Sequence, residues 1–351
     1  MKQCKVLTFC TWTSIGSILQ SYGLKKALEQ LECKSTILLP ARTNDFFVGK
    51  VHSVKSFISF VFQMFIHNHR IAAHHKRLSY IEKALDLQYY GDYAELVALD
   101  KNEEECVYIA GSDQIWNPDQ CRKSFFLDFV RNHRCISYGA SMGKTEIHPD
   151  KQEVIKGYLS KFDHISVREE QCRESLQPLT GKDISVHIDP TFLITNSDWR
   201  SQEKPYGIQG SYILVYMIYW NKTCKEQIKE LKRRTGLPVY AVCSGLSRVY
   251  ADHYLFDVGV EEFLWLVDHA EYVVTSSFHG AAMSAIFNKR FSAVINPATP
   301  SRIQNLMDKL KIPRVPIECL PDQEFDYTTI CARMELERLR GLHYLNEAVN
   351  E

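Results

Sequence analysis

The sequence lacks the short motifs that mark most nucleotide and metal sites. It contains no Walker-type phosphate loop, no G-x-G-x-x-G, no H-x-x-x-H and no C-x-x-C. These absences remove the usual sequence signals for a nucleotide cofactor and a bound metal ion. We therefore expect a protein that works without a metal or an organic cofactor.

Net charge and long apolar runs are missing as well. Lysine plus arginine and aspartate plus glutamate both number 42 among 351 residues, so the formal net charge is zero. Such a balance gives no electrostatic footprint for nucleic acid, which we do not expect as a partner. No apolar run is long enough to cross a bilayer, and the first ten residues do not resemble a secretory signal. Eleven cysteines without a pairing motif then predict a reducing, cytoplasmic location.

Short apolar runs rich in β-branched residues alternate with helical patterns along the chain. Buried strands separated by helices are typical of parallel sheets that are covered on both faces. The length suits two such units, so the predicted fold class is α/β with two Rossmann-like domains. The runs predict strands at residues 4–10, 106–110, 135–138, 165–167, 185–188, 212–218, 239–242, 272–275 and 291–295.

A polar stretch separates the two predicted units. Residues 196–210 contain Pro205, Gly207 and Gly210 and precede the most apolar strand, which predicts a linker. The expected organisation is a first domain at 1–195, a second at 211–330 and a charged C-terminal helix at 331–351.

In open parallel sheets, ligands bind at the carboxyl ends of the strands, so the residues after each strand are candidates. After the first strand, Gly16 and Ser17 open a helix whose N–H groups suit an anion or a sugar, although an ordinary turn explains them too. The segment GSDQIWNP offers Asp113, Gln114 and Trp116, a set that suits carbohydrate. The alternative is that Asp113 caps a helix and Trp116 packs in the core.

Basic side chains and one histidine stand at further strand ends. Arg168, in SVRE, can meet a carboxylate or phosphate with two N–H groups, or it can form a surface ion pair with Glu169 or Glu170. His279, in TSSFHG, follows a strand of the second unit and is placed for proton transfer. Arg302, near the start of a later helix, offers a second guanidinium group.

Six segments stand along the chain in the order GSILQSYGLKKAL, GSDQIWNP, SVREE, IDPTFL, VEEFLWLVDHAEYVVTSSFHGAAMSAIF and SRIQNLMDKL. Together they resemble the polysaccharide pyruvyl transferase family across roughly residues 10–310. The resemblance implies a glycosyltransferase-B-like architecture, in which two Rossmann-like domains face each other across a cleft. It also implies that phosphoenolpyruvate, as a co-substrate, gives its pyruvyl group as a ketal to a sugar of a surface polysaccharide or its lipid-linked precursor.

The resemblance and the strand ends together give each candidate residue an expected role. The general acid/base is His279. The donor would be held by Arg168 and, in the second, donor-side domain, by Ser276, Ser277, Gly280 and Arg302. The acceptor sugar would be held in the first domain by Gly16, Ser17, Gln20, Ser112, Asp113, Gln114 and Trp116.

The chain departs from the family pattern at one position. Some relatives carry an arginine two residues before the catalytic histidine, and Ser277 stands there in this sequence. Either Arg302 or Arg168 takes over that work, or the donor differs. Two other functions therefore stay open: a glycosyltransferase that uses a nucleotide sugar, and a non-catalytic component of a polysaccharide assembly complex.

An apolar stripe at residues 57–66 admits two interpretations. Phe57, Phe60, Val61, Met64 and Phe65 recur at helical spacing, and basic residues flank them on both sides. The stripe is either a core helix of the first domain or an interfacial segment resting on the inner leaflet, close to a lipid-linked acceptor.

Overall fold

The computed structural model describes residues 1–41, 54–243, 250–296 and 301–351, and for 54–67 and 301 it describes the backbone alone. The strands in these ranges are β1 (Lys2–Leu7), β2 (Cys33–Pro40), β3 (Leu87–Tyr90), β4 (Cys106–Ala110), β5 (Arg134–Ser137), β6 (Ile165–Val167), β7 (Ile184–Val186), β8 (Ile213–Tyr216), β9 (Val239–Val242), β10 (His253–Leu255), β11 (Tyr272–Thr275) and β12 (Arg290–Ala293). The α-helices are α1 (Ile15–Gln30), α2 (Val54–Ala84), α3 (Tyr93–Asn102), α4 (Pro149–Leu159), α5 (Glu170–Leu176), α6 (Asn196–Arg200), α7 (Lys222–Thr235), α8 (Val260–Asp268), α9 (Phe278–Ile286), α10 (Ser301–Leu310) and α11 (Tyr327–Asn350).

Two parallel sheets repeat the same strand order. The first runs β3-β2-β1-β4-β5 and the second runs β10-β9-β8-β11-β12. The strands β6 and β7 form a small parallel pair that single bridges join to the edge of the first sheet beyond β5. In each sheet the order reverses beside its first strand, between β1 and β4 and between β8 and β11, and ligands bind at such switch points. The predicted α/β class is confirmed.

All nine predicted strands are present, five of them with small shifts at their ends. The predictions for β4, β6, β9 and β11 agree with the structure at both ends, and the other five differ by one to three residues. The first strand, for example, ends at Leu7 and not at Cys10. Three strands, β2, β3 and β10, were not predicted, and two of them lie at sheet edges.

The C-terminal helix packs against the first domain. It begins at Tyr327, four residues before the predicted start. Tyr344 donates a hydrogen bond from its hydroxyl to the carbonyl of Ser137 at 2.9 Å, and Lys2 donates from Nζ to the carbonyl of Val349 at 2.6 Å. The helix therefore ties the end of the chain to the first sheet. The residue boundaries of the domains stay a prediction, and the predicted linker contains the short helix α6.

The apolar stripe at 57–66 lies within α2, but its side chains fall outside the described residues. The choice between a core helix and an interfacial helix thus stays a prediction. Where the structure describes the chain, no helix combines the length and the apolar character that a bilayer span needs.

His187 is buried where the C-terminal helix meets the first domain. Its ring centroid lies 4.5 Å from that of Tyr344, and its Nδ1 is 2.9 Å from Oγ of Ser166. Burial and the positive charges of Lys309 and Arg340 lower the pKa of His187 from 6.5 to about 4. The folded protein therefore keeps this imidazole neutral at pH values where the unfolded chain protonates it.

We predict that this histidine makes the protein less stable in mild acid. Because the unfolded state binds the proton near pH 6.5 and the folded state only near pH 4, stability falls as the pH drops through that window. Between pH 7.5 and pH 5 the loss is about 2 kcal/mol. Urea denaturation at both pH values measures the stability that each protein loses between them. His187→Gln should lose less than wild type by this amount. The control His343→Gln, at an exposed position of α11, should lose as much as wild type. An equal pH response in wild type and His187→Gln contradicts the prediction.

Candidate functional site

The strand ends of the two sheets meet at one cleft. Gly16, which follows β1, lies against the imidazole of His279, which follows β11. Arg302, on α10, places its Nη1 3.7 Å from Oδ1 of Asp113, which follows β4. Residues predicted from separate strand ends in both domains therefore come together at the switch points of the sheets.

Arg168 is the centre of a buried ion-pair network. Its Nη1 donates to Oδ2 of Asp189 at 2.6 Å, and its Nε donates to Oε1 of Glu169 at 2.9 Å. The three side chains are at most 5% exposed. Burial disfavours the charge, but the two carboxylates more than compensate and hold the pKa of Arg168 above its usual value. The expected alternative of a surface pair is wrong, because the pair with Glu169 is buried.

Asp189 is the one residue of the network that the sequence interpretation missed. Its Oδ1 accepts hydrogen bonds from the backbone N–H of Thr191 at 3.0 Å and from the Thr191 hydroxyl at 2.9 Å. Its Oδ2 lies 3.7 Å from Nε2 of His279, too far for a hydrogen bond but close enough for attraction. Burial raises the pKa of Asp189, but His279 and Arg168 outweigh it and hold that pKa well below the ordinary value. The available signal was an acidic residue directly after the strand predicted at 185–188.

His279 lies in the first turn of α9 and is 7% exposed. Ser277 caps this helix, because its Oγ accepts from the N–H of Gly280 at 3.4 Å. A Cβ at Gly280 would collide with Oγ1 of Thr275, so glycine lets the helix press against the end of β11. The Nε2 of His279 has no hydrogen-bond partner among the described residues.

Arg302 reaches the first domain from α10. When the amide oxygen of Gln114 points toward it, that oxygen accepts from Nη1 at 2.9 Å and from Nη2 at 2.7 Å. Burial and the positive charge of Arg168 lower the pKa of Arg302. Its Nε, like Nη2 of Arg168, is buried without a hydrogen-bond partner in the part of the chain that the structure describes.

The other residues predicted for the donor shape the turn around His279. The hydroxyl of Ser276 accepts from the backbone N–H of Ile218 at 3.0 Å and of Tyr219 at 2.8 Å, so it fixes the segment after β8. Ser277 caps α9, and Gly280 allows its close approach to β11. In this arrangement the two hydroxyl groups already serve the local fold.

Trp116 is a core residue. Its side chain is 1% exposed, its Nε1 donates to the carbonyl of Phe125 at 3.1 Å, and its ring stacks on Phe126 with centroids 5.2 Å apart. The prediction of a sugar-stacking platform is therefore wrong, and the core alternative is confirmed.

Three more residues predicted to bind the acceptor are buried and bond to their own domain. The contacts are Ser17 Oγ accepting from the N–H of Thr11 at 3.1 Å, Gln20 Nε2 donating to the carbonyl of Phe9 at 2.7 Å, and Ser112 Oγ donating to the carbonyl of Gly139 at 2.8 Å. The remaining predicted acceptor residues lie at the cleft: Asp113 and Gln114 are beside Arg302, and Gly16 faces His279 instead of open space.

One group of potential metal ligands lies elsewhere. In the described ranges, Glu203, Asp268 and His269 bring ligand atoms within 4.8 Å of one another near the end of α8. Arg200 donates to Asp268 at 2.8 Å, and burial together with the charge of Asp268 raises the pKa of Glu203 to about 7. We describe the group as an ion-pair cluster and assign no metal to it.

Comparison with known proteins gives a family and a fold. Residues 15–297 match the family model described as polysaccharide pyruvyl transferase, and no curated protein matches the sequence. Among solved structures, a glycosyltransferase involved in avilamycin A biosynthesis, AviGT4, has a TM-score of 0.54 at 9% identity, over 99% of this chain and 97% of that chain. The UDP-GlcNAc 2-epimerase of Methanocaldococcus jannaschii has a TM-score of 0.51 at 11% identity, over 95% and 92% of the two chains. These likenesses show the expected glycosyltransferase-B-like fold.

We predict that Asp189→Asn strongly destabilises the protein. The substitution removes the anion that faces both Arg168 and His279, and breaking a buried ion pair in this way typically costs about 3–5 kcal/mol. Urea denaturation at pH 7 measures the loss. The control Asp119→Asn removes only an exposed pair with Lys144 and should cost less than about 1 kcal/mol. Similar small losses in both variants would show that the buried pair is unimportant.

Proposed function

From the premise that this chain belongs to the polysaccharide pyruvyl transferase family, we propose that its donor is phosphoenolpyruvate and its product a pyruvate ketal on a sugar of a surface polysaccharide or its lipid-linked precursor. One observation carries the proposal. Nη2 of Arg168, Nε of Arg302 and Nε2 of His279 are buried and have no hydrogen-bond partner among the described residues. Arg168 and His279 both face Asp189, at 2.6 and 3.7 Å, and the charge of Arg168 acts on Arg302. Two guanidinium groups suit an anion with a carboxylate and a phosphate, and the imidazole suits proton transfer.

Arg302 supplies the cation that the family pattern places beside the histidine. Ser277 occupies that position here and caps α9. The guanidinium group of Arg302 enters the cleft from α10 and lies close enough to Arg168 for their charges to interact. We assign the donor's two anionic groups to these two arginines, with no metal ion needed to balance their charge.

The proposed reaction uses His279 as acid and then as base. The protonated imidazole gives its proton to the methylene carbon of phosphoenolpyruvate, which leaves cationic character on the central carbon. One sugar hydroxyl forms a C–O bond to that carbon and returns a proton to the imidazole. A second hydroxyl then forms the other C–O bond as the bond to phosphate breaks, and its proton leaves with the phosphate. The sum is phosphoenolpyruvate plus a sugar diol giving a ketal and phosphate.

Asp113 is the residue we assign to the acceptor hydroxyl groups. Its backbone adopts a left-handed conformation, with φ of 69°, directly after β4. Its carboxylate is partly exposed and borders Arg302, so it faces the side of the cleft where the donor would lie. Of the acceptor residues predicted from sequence, Asp113 and Gln114 keep polar atoms at this position.

We predict that His279→Ala lowers the rate of ketal formation by about 10²–10⁴-fold, because one general acid/base is lost. Purified protein is incubated with phosphoenolpyruvate and a panel of lipid-linked or synthetic sugars, and phosphate release and the mass of the acceptor are followed. His343→Ala, in the exposed part of α11, is the matched control and should keep full activity. Near-wild-type turnover in His279→Ala removes the assignment. Consumption of a nucleotide sugar instead of phosphoenolpyruvate would identify a glycosyltransferase, and no turnover of either donor would favour a non-catalytic component.

We predict that Arg302→Ala raises KM for phosphoenolpyruvate by about 10- to 150-fold, which corresponds to losing one charge-assisted hydrogen bond to an anion. Initial rates at varied donor concentration measure the change. Arg314→Ala is the control, because this exposed arginine pairs with Asp308 at 2.8 Å and lies just beyond α10. An unchanged KM in Arg302→Ala would place the second cation elsewhere.

A further inference from the structure

We propose that Gly16 is a positioning residue for His279, because its bare Cα forms the surface of the first domain on which the imidazole rests. The catalytic part of this inference depends on the proposed function, whereas the contact itself does not. A Cβ on Gly16 would overlap Nδ1 of His279 and would lie 2.6 Å from Cγ and 2.9 Å from Cε1. Real Cβ atoms do not approach other heavy atoms closer than 3.0 Å. Any larger residue must therefore displace the ring.

The elements around His279 leave its imidazole little room to move away from Gly16. The first turn of α9 is held against β11, because Gly280 leaves no space between its backbone and Thr275. The opposite edge of the ring faces Asp189, whose Oδ2 is 3.7 Å from Nε2 and is fixed by Arg168 at 2.6 Å. Movement of the ring would therefore change the geometry between the imidazole and the carboxylate.

The helix that carries Gly16 is equally fixed. Ser14 caps α1, since its Oγ accepts from the N–H of Ser17 at 3.3 Å, and Ser17 in turn bonds to Thr11 at 3.1 Å. Further along the helix, a Cβ on Gly23 would lie 2.8 Å from the carbonyl carbon of Pro190, so α1 packs directly on the turn after Asp189. Gly16 and Asp189 thus belong to one packed unit, and the space between them fits the imidazole. The first domain thereby sets the position of an acid/base that the second domain carries.

The test compares Gly16→Ala with Gly157→Ala. Gly157 is also helical, but a Cβ there meets nothing within 4 Å, so this control should keep its activity and its melting temperature or melt slightly higher. Gly16→Ala should lower Tm by about 2–4 °C through overpacking. It should also lower kcat by about 10- to 100-fold through a displaced imidazole. KM for phosphoenolpyruvate should stay nearly unchanged, because the arginines are untouched.

A double-mutant cycle on Tm shows whether Gly16 acts through His279. In protein that carries His279→Ala, Gly16→Ala should no longer lower Tm, because the colliding ring is gone. An equal Tm loss in both backgrounds, or no loss in either, overturns the proposal. A raised KM with unchanged kcat overturns it as well and would indicate that Gly16 contributes to ligand binding instead. If Gly16→Ala alone does not fold, recovery of folding by His279→Ala is the confirming result. The Tm cycle needs no substrate, so it stays valid even if phosphoenolpyruvate is not the donor.

Discussion

Arg168 and Asp189 form a buried ion pair at 2.6 Å, and the arrangement of the cleft follows from it. The carboxylate of Asp189 also accepts two hydrogen bonds from Thr191, which shape the turn on which α1 packs. The same carboxylate attracts His279 from the second domain. Buried pairs contribute little net stability compared with apolar side chains, but removing one partner is costly, so they constrain geometry. Here the constraint places a cation, a helix and an imidazole around one carboxylate group.

The central strands could be predicted because their sequence and their surroundings agree. The strands β4, β8 and β11 lie inside parallel sheets with both faces covered, so they read as continuous apolar runs. The edge strand β10 is three residues long with two exposed side chains, and β2 mixes buried and exposed positions at its start. Such strands carry polar residues where water reaches them, and a search for apolar runs does not find them.

The candidate site could be predicted in its charged residues but not in its packing. Arg168 and His279 follow predicted strands, and Arg302 opens a helix, so strand order alone brings them to the cleft. Trp116 looked like a sugar platform by residue type, but Phe126 and Phe162, which cover it, are separated from it by 10 and 46 positions. The contact between Gly16 and His279 spans two domains. The surroundings of Trp116 and the contact of Gly16 with His279 cannot be predicted from local sequence, because both depend on how distant elements pack.

In the proposed reaction, the two arginines differ in how strongly neighbouring side chains already bind them. Arg168 already has two carboxylate partners at hydrogen-bond distance, so a donor anion can use only its remaining N–H groups and cannot move it without leaving buried charges unpaired. Arg302 has a neutral amide and a carboxylate 3.7 Å away, so fewer strong contacts oppose its reorientation. Because the charge of Arg168 also repels it, an anion placed between the two groups relieves that repulsion. In the proposed reaction, Arg168 would thus form the rigid side of the anion site, and Arg302 would be the side chain that adjusts to the donor.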